Sequence, residues 1–169
     1  GLPNNHILKI VQDKKGYLWI GTINGVTVFD GFTFTKFEDK YALSNSPVES
    51  IVEDKSGNMW FGTSGKGLAR YNGFSFDFFD RSKGLLSDNI SGLCIAADGK
   101  LYIGSDNGLC IYDGKSFKSF TTKNGLPDND IISVYAGKDN DVWVTTSGGF
   151  GKITDGKFKP YSLGSNPFD

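Results

Sequence analysis

The sequence predicts an all-β domain built from four copies of one four-stranded unit. Three observations predict it: an internal repeat of about 41 residues, four short strand patterns per copy, and apolar runs without a clean in–out alternation. The aromatics Trp19, Trp60, Tyr102 and Trp143 stand 41, 42 and 41 residues apart. Leu2, Leu43, Leu85 and Leu126 keep the same spacings, as do Ile7, Val48, Ile90 and Ile131. Gly25, Gly67, Gly108 and Gly149 open a short apolar segment ending at Phe29, Tyr71, Tyr112 and Ile153, and Phe34, Phe76, Phe117 and Phe158 follow five residues later. The copies run approximately over 1-41, 42-83, 84-124 and 125-169.

The first copy sets out the elements in order. Strand one is expected over Ile7 to Val11, before a turn that carries Gly16. Strand two runs from Leu18 to Thr22 and closes through Asn24-Gly25, a hairpin pair. Strand three covers Val26 to Phe29 and stops at Asp30-Gly31; strand four covers Phe34 to Phe37. The composition agrees, because 23 Gly, 14 Phe, 7 Tyr and 3 Trp suit short strands and tight turns. Four antiparallel strands in roughly 40–45 residues is the pattern of a β-propeller blade. Runs such as Leu18-Trp19-Ile20 and Val142-Trp143-Val144 need cover on both faces of the sheet. One isolated blade cannot supply it, so its neighbours must, with the recurring Trp or Tyr as the wedge between them. Four copies allow a four-bladed ring, an open half-ring, or half of a larger ring completed by another chain. A half-ring would expose two aromatic faces, so self-association or association with further blades is expected.

Composition also excludes. Eighteen Lys+Arg against 19 Asp+Glu give a net charge of -1 with no like-charge block, so no nucleic-acid footprint is present. No apolar run approaches the ~18 residues of a membrane span. The chain opens inside the repeat pattern, and a longer parent chain is expected. Cys94 and Cys110 fall on the first and third strands of one sheet. Two strand spacings of ~4.8 Å exceed the ~7 Å reach of a bridge between Cα atoms, so both thiols are expected to be free.

Chemistry is sparse. His6 is the one histidine, with no second His or thiol nearby for a zinc site or an acyl-transfer triad. Asp13-x-x-Gly16-x-x-Trp19 and Asp54-x-x-Gly57-x-x-Trp60 read as β-turns in which Asp bonds its own backbone. A glycosidase needs two carboxylates facing one sugar, whereas these turns lie at equivalent hairpins of different blades. Asp128, Asp130, Asp139 and Asp141 lack an EF-hand pattern, and Ser64-Gly65-Lys66-Gly67 lacks the spacing of a P-loop. No catalytic residue, metal or cofactor is expected. Recognition is expected where fourth-to-first connections and second-to-third turns share one face near the axis. That face gathers Asn5, His6, Asn45, Asp88, Asn89, Asp128 and Asn129 with Asn24, Lys66, Asp106, Asn107 and Phe150. Amides and carboxylates beside an occasional aromatic suit the hydroxyls of a soluble saccharide.

With the repeats aligned, the chain resembles the two-component regulator propeller family. Its pattern is approximately Gly-Leu-Pro-x-Asn-x-Ile, Asp-x-x-Gly-x-Leu-Trp-Ile-Gly-Thr, Gly-Leu, then aromatic-Asp-Gly-x-x-Phe. The first copy carries Gly1-Leu2-Pro3, Asn5, Ile7, Asp13, Gly16, Leu18-Trp19-Ile20-Gly21-Thr22, Phe29-Asp30-Gly31 and Phe34. The second has Asp54, Gly57, Trp60-Phe61-Gly62-Thr63, Gly67-Leu68 and Tyr71-Asn72-Gly73. The third keeps Gly84-Leu85, Asn89, Gly99, Gly104, Gly108-Leu109 and Tyr112-Asp113-Gly114, and the fourth Gly125-Leu126-Pro127, Asn129, Trp143, Gly149 and Asp155-Gly156. Ala96 and Gly137 depart from the Asp, Tyr102 from the Trp, and Thr145 from the Gly of Gly-Thr, which leaves the fourth copy the most eroded. The resemblance implies a non-catalytic periplasmic sensor region of a membrane-anchored hybrid two-component protein, of the Bacteroidetes kind that responds to glycan fragments. It leaves a protein-interaction scaffold as the alternative. Virginiamycin-lyase-like propellers are similar in architecture but need a catalytic His, for which His6 has no clear partner.

Overall fold

The computed structural model describes residues 1–37 and 43–161. They form four antiparallel four-stranded sheets, each drawn from one repeat with its strands in sequence order. The first sheet holds β1 (Ile7–Gln12), β2 (Leu18–Thr22), β3 (Gly25–Phe29) and β4 (Phe34–Lys36). The second holds β5 (Val48–Glu53), β6 (Met59–Thr63), β7 (Leu68–Tyr71) and β8 (Phe76–Phe79). The third holds β9 (Ile90–Ile95), β10 (Leu101–Ser105), β11 (Gly108–Tyr112) and β12 (Phe117–Phe120). The fourth holds β13 (Ile131–Ala136), β14 (Val142–Thr146), β15 (Gly149–Thr154) and β16 (Lys157–Tyr161). These are the blades of a propeller. Two short 3-10 turns, Arg81–Lys83 and Thr122–Asn124, lie in the connections to the third and fourth blades. The strand patterns gave no sign of them, because they rest on the local caps Asp80 and Thr121 rather than on periodicity.

The blades stand face to face, with first strands running side by side in the order β1, β5, β9, β13. Three apolar clusters fill the three gaps between them. Trp19 of the first blade stacks on Phe37 and meets Phe61 of the second, ring centroids 5.6 and 5.4 Å apart. Trp60 of the second meets Tyr112 of the third at 5.6 Å. Tyr102 of the third packs among Val142, Val144 and Ile153 of the fourth. The wedge expected from the repeat is therefore present at each gap, and it has a direction. The second-strand aromatic of one blade enters the face that the next blade presents with its first-strand aliphatic, such as Ile51 or Leu93, and its third- and fourth-strand residues, Tyr71 and Phe76 in the second blade.

Close approach explains the Gly of Ile-Gly-Thr. A Cβ on Gly62 would lie 2.6 Å from Ile90 Cγ2 of the next blade, and one on Gly104 would lie 2.7 Å from Ile131 Cγ2. Only a bare backbone lets the second strand and the first strand of the next blade come this near. Thr145 replaces that Gly in the fourth blade, where its hydroxyl instead pairs with Ser133 at 2.8 Å.

The array is open among the described residues: no packing of comparable extent joins β13 or β14 to β1. Ile10 is 53% exposed, whereas its equivalent Ile51 is 1% exposed. At the other end Tyr135 is 69% exposed and Tyr161 46%. Cys94 and Cys110 are free and buried on opposite faces of the third blade, one in the cluster shared with the fourth blade and the other in that shared with the second. Burial pushes the Cys94 thiol up to about 12 and raises Cys110 as well.

Candidate functional site

Each blade has two rims. One carries the turns between first and second strands and between third and fourth. The other carries the loops that enter the first strand together with the turns between second and third. The first rim is structural. Asp54 Oδ1 accepts the Ser56 and Asn58 amides, both at 2.9 Å, while its other oxygen accepts the Trp60 indole N–H at 2.9 Å. Asp13 does the same for Lys15, Tyr17 and Trp19. The sequence showed the turn but not the bond to the indole. Burial raises the Asp54 carboxyl, yet the hydrogen bonds from Asn58, Trp60 and Ser56 outweigh it and hold the group below its ordinary 3.8. In the third blade, Ala96 and Tyr102 replace both partners together. These carboxylates are engaged within their own blades.

The second rim carries a feature absent from the strand patterns. The pairing between first and second strand slips by one residue in every blade, between Ile7 and Lys9, Val48 and Ser50, Gly104 and Ser105, and Ile131 and Ser133. The residue skipped in each first strand is Leu8, Glu49, Ser91 or Ile132. A bulge re-aims its extra side chain and ends regular pairing. Here it turns three of these residues into one open cavity of about 320 Å³, lined by Glu49, Ser64, Asn89, Ser91, Asp106 and Asp130 with the buried Ile90 and Ile131 and the exposed Ile132. The cavity bridges the second, third and fourth blades.

Its polar groups are tied pairwise. Ser64 donates to Glu49 at 3.1 Å, Asn89 Nδ2 donates to Asp106 at 2.8 Å, and the Ser147 hydroxyl donates to Asp130. Hydrogen bonds from Ser87 and Asn89 hold the Asp106 carboxyl below its ordinary range, so it is ionised at neutral pH. Carboxylates, one amide and hydroxyls beside isoleucine form a surface able to accept and donate hydrogen bonds to a polyol. Among the described residues, no three His, Cys, Asp or Glu side chains are placed to hold a metal ion.

Of the residues expected to bind, Asn89 and Asp106 line this cavity. Asp88 and Asn107 line a wider neighbouring cleft with Asp80, Arg81, Ser82, Leu85 and Leu86. Asp88 also accepts the Arg81 amide at 3.0 Å, and its equivalent Asn129 accepts the Thr122 amide at 2.8 Å, so both anchor the 3-10 turns. Asp128 accepts the Asp130 amide at 2.9 Å. Asn5, His6, Asn24, Asn45 and Lys66 are exposed on the same rim outside the cavity, and Phe150 stacks on Tyr161 at the outer face of the fourth blade. Glu49 and Ser91 were missed, although each is a polar residue directly after a buried aliphatic, Val48 or Ile90, that opens a first strand.

A stack of four-stranded blades with a polar rim defines a β-propeller array. Three of its repeats, over residues 1–24, 42–65 and 125–148, match the pattern of the two component regulator propeller family. The third repeat, with Ala96 and Tyr102, is not matched. No curated protein matches the chain. Among solved structures, the extracellular domain of the hybrid two component system BT3049 from B. thetaiotaomicron superposes with a TM-score of 0.83 at 20% identity, over 95% of this chain and 23% of that one. The extracellular domain of BT4673, a hybrid two component system of the same organism, gives 0.74 at 26% identity over 90% and 22%. Virginiamycin B lyase from Staphylococcus aureus gives 0.77 at 17% identity over 98% and 59%. The chain thus spans under a quarter of the two-component extracellular domains it resembles, and the fold is shared with enzymes.

Proposed function

We propose that this chain is a non-catalytic ligand-sensing module of a two-component signalling protein, and that the bulge-lined cavity reads a glycan-derived ligand. The observation that carries the reading is the convergence of Glu49, Ser91, Asn89, Asp106, Ser64 and Asp130 on one cavity, in a chain three of whose repeats match the two component regulator propeller pattern. The module works on the periplasmic side of the membrane, as part of a longer, membrane-anchored protein; the likeness to extracellular domains of hybrid two component systems supports this placement. A lyase reading has less support. A catalytically inactive His-to-Ala variant of virginiamycin B lyase was solved with quinupristin, and this chain has one histidine. The His6 imidazole is exposed and has no hydrogen-bond partner among the described residues.

Titration calorimetry against a panel of neutral and acidic oligosaccharides tests the proposal. Heat with at least one glycan is expected, weakened about tenfold or more by Asp106→Ala or Asn89→Ala, since each removes a group that would pair with a hydroxyl. Silence across the panel, or turnover of a substrate that His6→Ala abolishes, contradicts it.

A further inference from the structure

Arg70 shows what rests on a wedge tryptophan within its own sheet. It pairs across the strands with Trp60, its guanidinium lies 5.5 Å over the indole, and Asp77 on the next strand receives it at 2.5 Å. The fourth blade uses other residues to the same end: Lys152 pairs with Trp143, its ammonium 5.9 Å over the ring and 2.6 Å from Asp141. The negative face of the ring and a carboxylate together hold each cation. The first blade differs. Val28 and Thr35 stand in the register of Arg70 and Asp77, and among the described residues no cation lies over Trp19.

A cavity of about 220 Å³ opens at that place, in the gap between the first and second blades. Trp19 and Tyr71 supply ring surface, Val28 and Met59 an apolar wall, and Asp13 and Glu53 carboxylates. Its counterpart in the second gap, about 240 Å³, has Arg70 itself in the wall beside Trp60 and Tyr112, and Ile95 where the first gap has Glu53. The first gap thus keeps a carboxylate and lacks the cation. Asp13 is occupied by the amides of its own turn and the Trp19 indole. Glu53 is less engaged: one oxygen accepts the Lys14 amide at 2.8 Å, while the Lys14 ammonium bonds the Asp54 carbonyl and stays 3.9 Å from the other. The Glu53 side chain is 13% exposed, and shielding from water strengthens its pull on a positive charge. Lys15 borders the cavity from the turn, but it is exposed and lies over none of the rings.

We infer that this cavity binds the alkylammonium or alkylguanidinium group of an organic cation, which takes over Trp19 the place that Arg70 holds over Trp60. The stem lies against Val28 and Met59, and the head meets the rings and Glu53. The site is independent of the glycan cavity, which lies on the other rim and is built from other residues. A small free amine and the basic side chain of a peptide present this same chemistry.

NMR titration followed at the three indole N–H signals tests the inference. At constant ionic strength, butylammonium and butylguanidinium are expected to shift the Trp19 signal saturably, and butanol and butyrate to bind about fivefold more weakly or less. Val28→Arg with Thr35→Asp rebuilds the internal pair over Trp19, so the rest of the spectrum stays native and the response to both cations is lost. Glu53→Gln weakens both cations severalfold and leaves butanol unchanged. Capped tripeptides centred on Lys or Arg separate the two sources: tighter binding than the butyl cations assigns a basic peptide, weaker binding a small amine. Butanol matching the cations, a response that survives Val28→Arg with Thr35→Asp, or a Trp19 signal that neither cation moves would overturn the inference.

Discussion

At the scale of single residues, the most informative bond joins Asp54 to the Trp60 indole. Trp60 is 3% exposed, so Asp54→Ala leaves its N–H without its acceptor and opens the turn as well, at a cost of about 1–3 kcal/mol. The carboxyl is held below 3.8 in the fold. A depressed folded value gives stability that is present above the unfolded value and is lost as pH falls through the folded one. Urea melts of wild type and Asp54→Ala should therefore differ at pH 7 and converge only as pH falls below 3.8 and through the lower folded value; a gap that persists once the carboxyl is protonated would assign the effect to packing alone. The sequence held a trace of this bond in the third repeat, which lost Asp and Trp together. It was unreadable as a bond because the same Asp also explains itself as a turn former, through the Ser56 and Asn58 amides.

At the scale of the element, what the repeat made legible and what it hid have different physical origins. Strand positions were legible because the buried residues recur at fixed spacing; β2 begins and ends where Leu18 and Thr22 placed it. The fourth strand was read to Phe37, one residue past Lys36, because Phe37 packs on Trp19 without joining the ladder. The bulge was hidden because its residue has no fixed chemistry: Leu8, Glu49, Ser91 and Ile132 share a position and nothing else. That freedom lets the blades differ in the chemistry they present at this rim. The Gly of Ile-Gly-Thr is the opposite case, a residue with one permitted identity. Gly62→Ala should cost about 1–3 kcal/mol, because its methyl must displace Ile90 of the neighbouring strand. A thermal melt unchanged by that substitution would show that the blades stand further apart than described.

At the scale of the whole molecule, the proposed function divides stability and recognition between the two rims. One rim holds the Asp turns and the bonds that Lys14 makes to Glu53 and the Asp54 carbonyl of the next blade. The other is released from regular pairing by a bulge in each blade and gathers carboxylates, an amide and hydroxyls from three blades into one cavity. A cavity shared among blades responds to their relative placement, so a ligand that bridges them also biases how they pack, which is the property a sensor requires. Hydrogen–deuterium exchange with a glycan from the panel that gives binding heat tests this division most directly. Protection confined to Glu49, the Asn89–Ser91 segment, Asp106 and the Asp130–Ile132 segment is the predicted outcome. Protection centred on the turns around Asp13, Asp54 and Asp98, with that cavity unchanged, would contradict it.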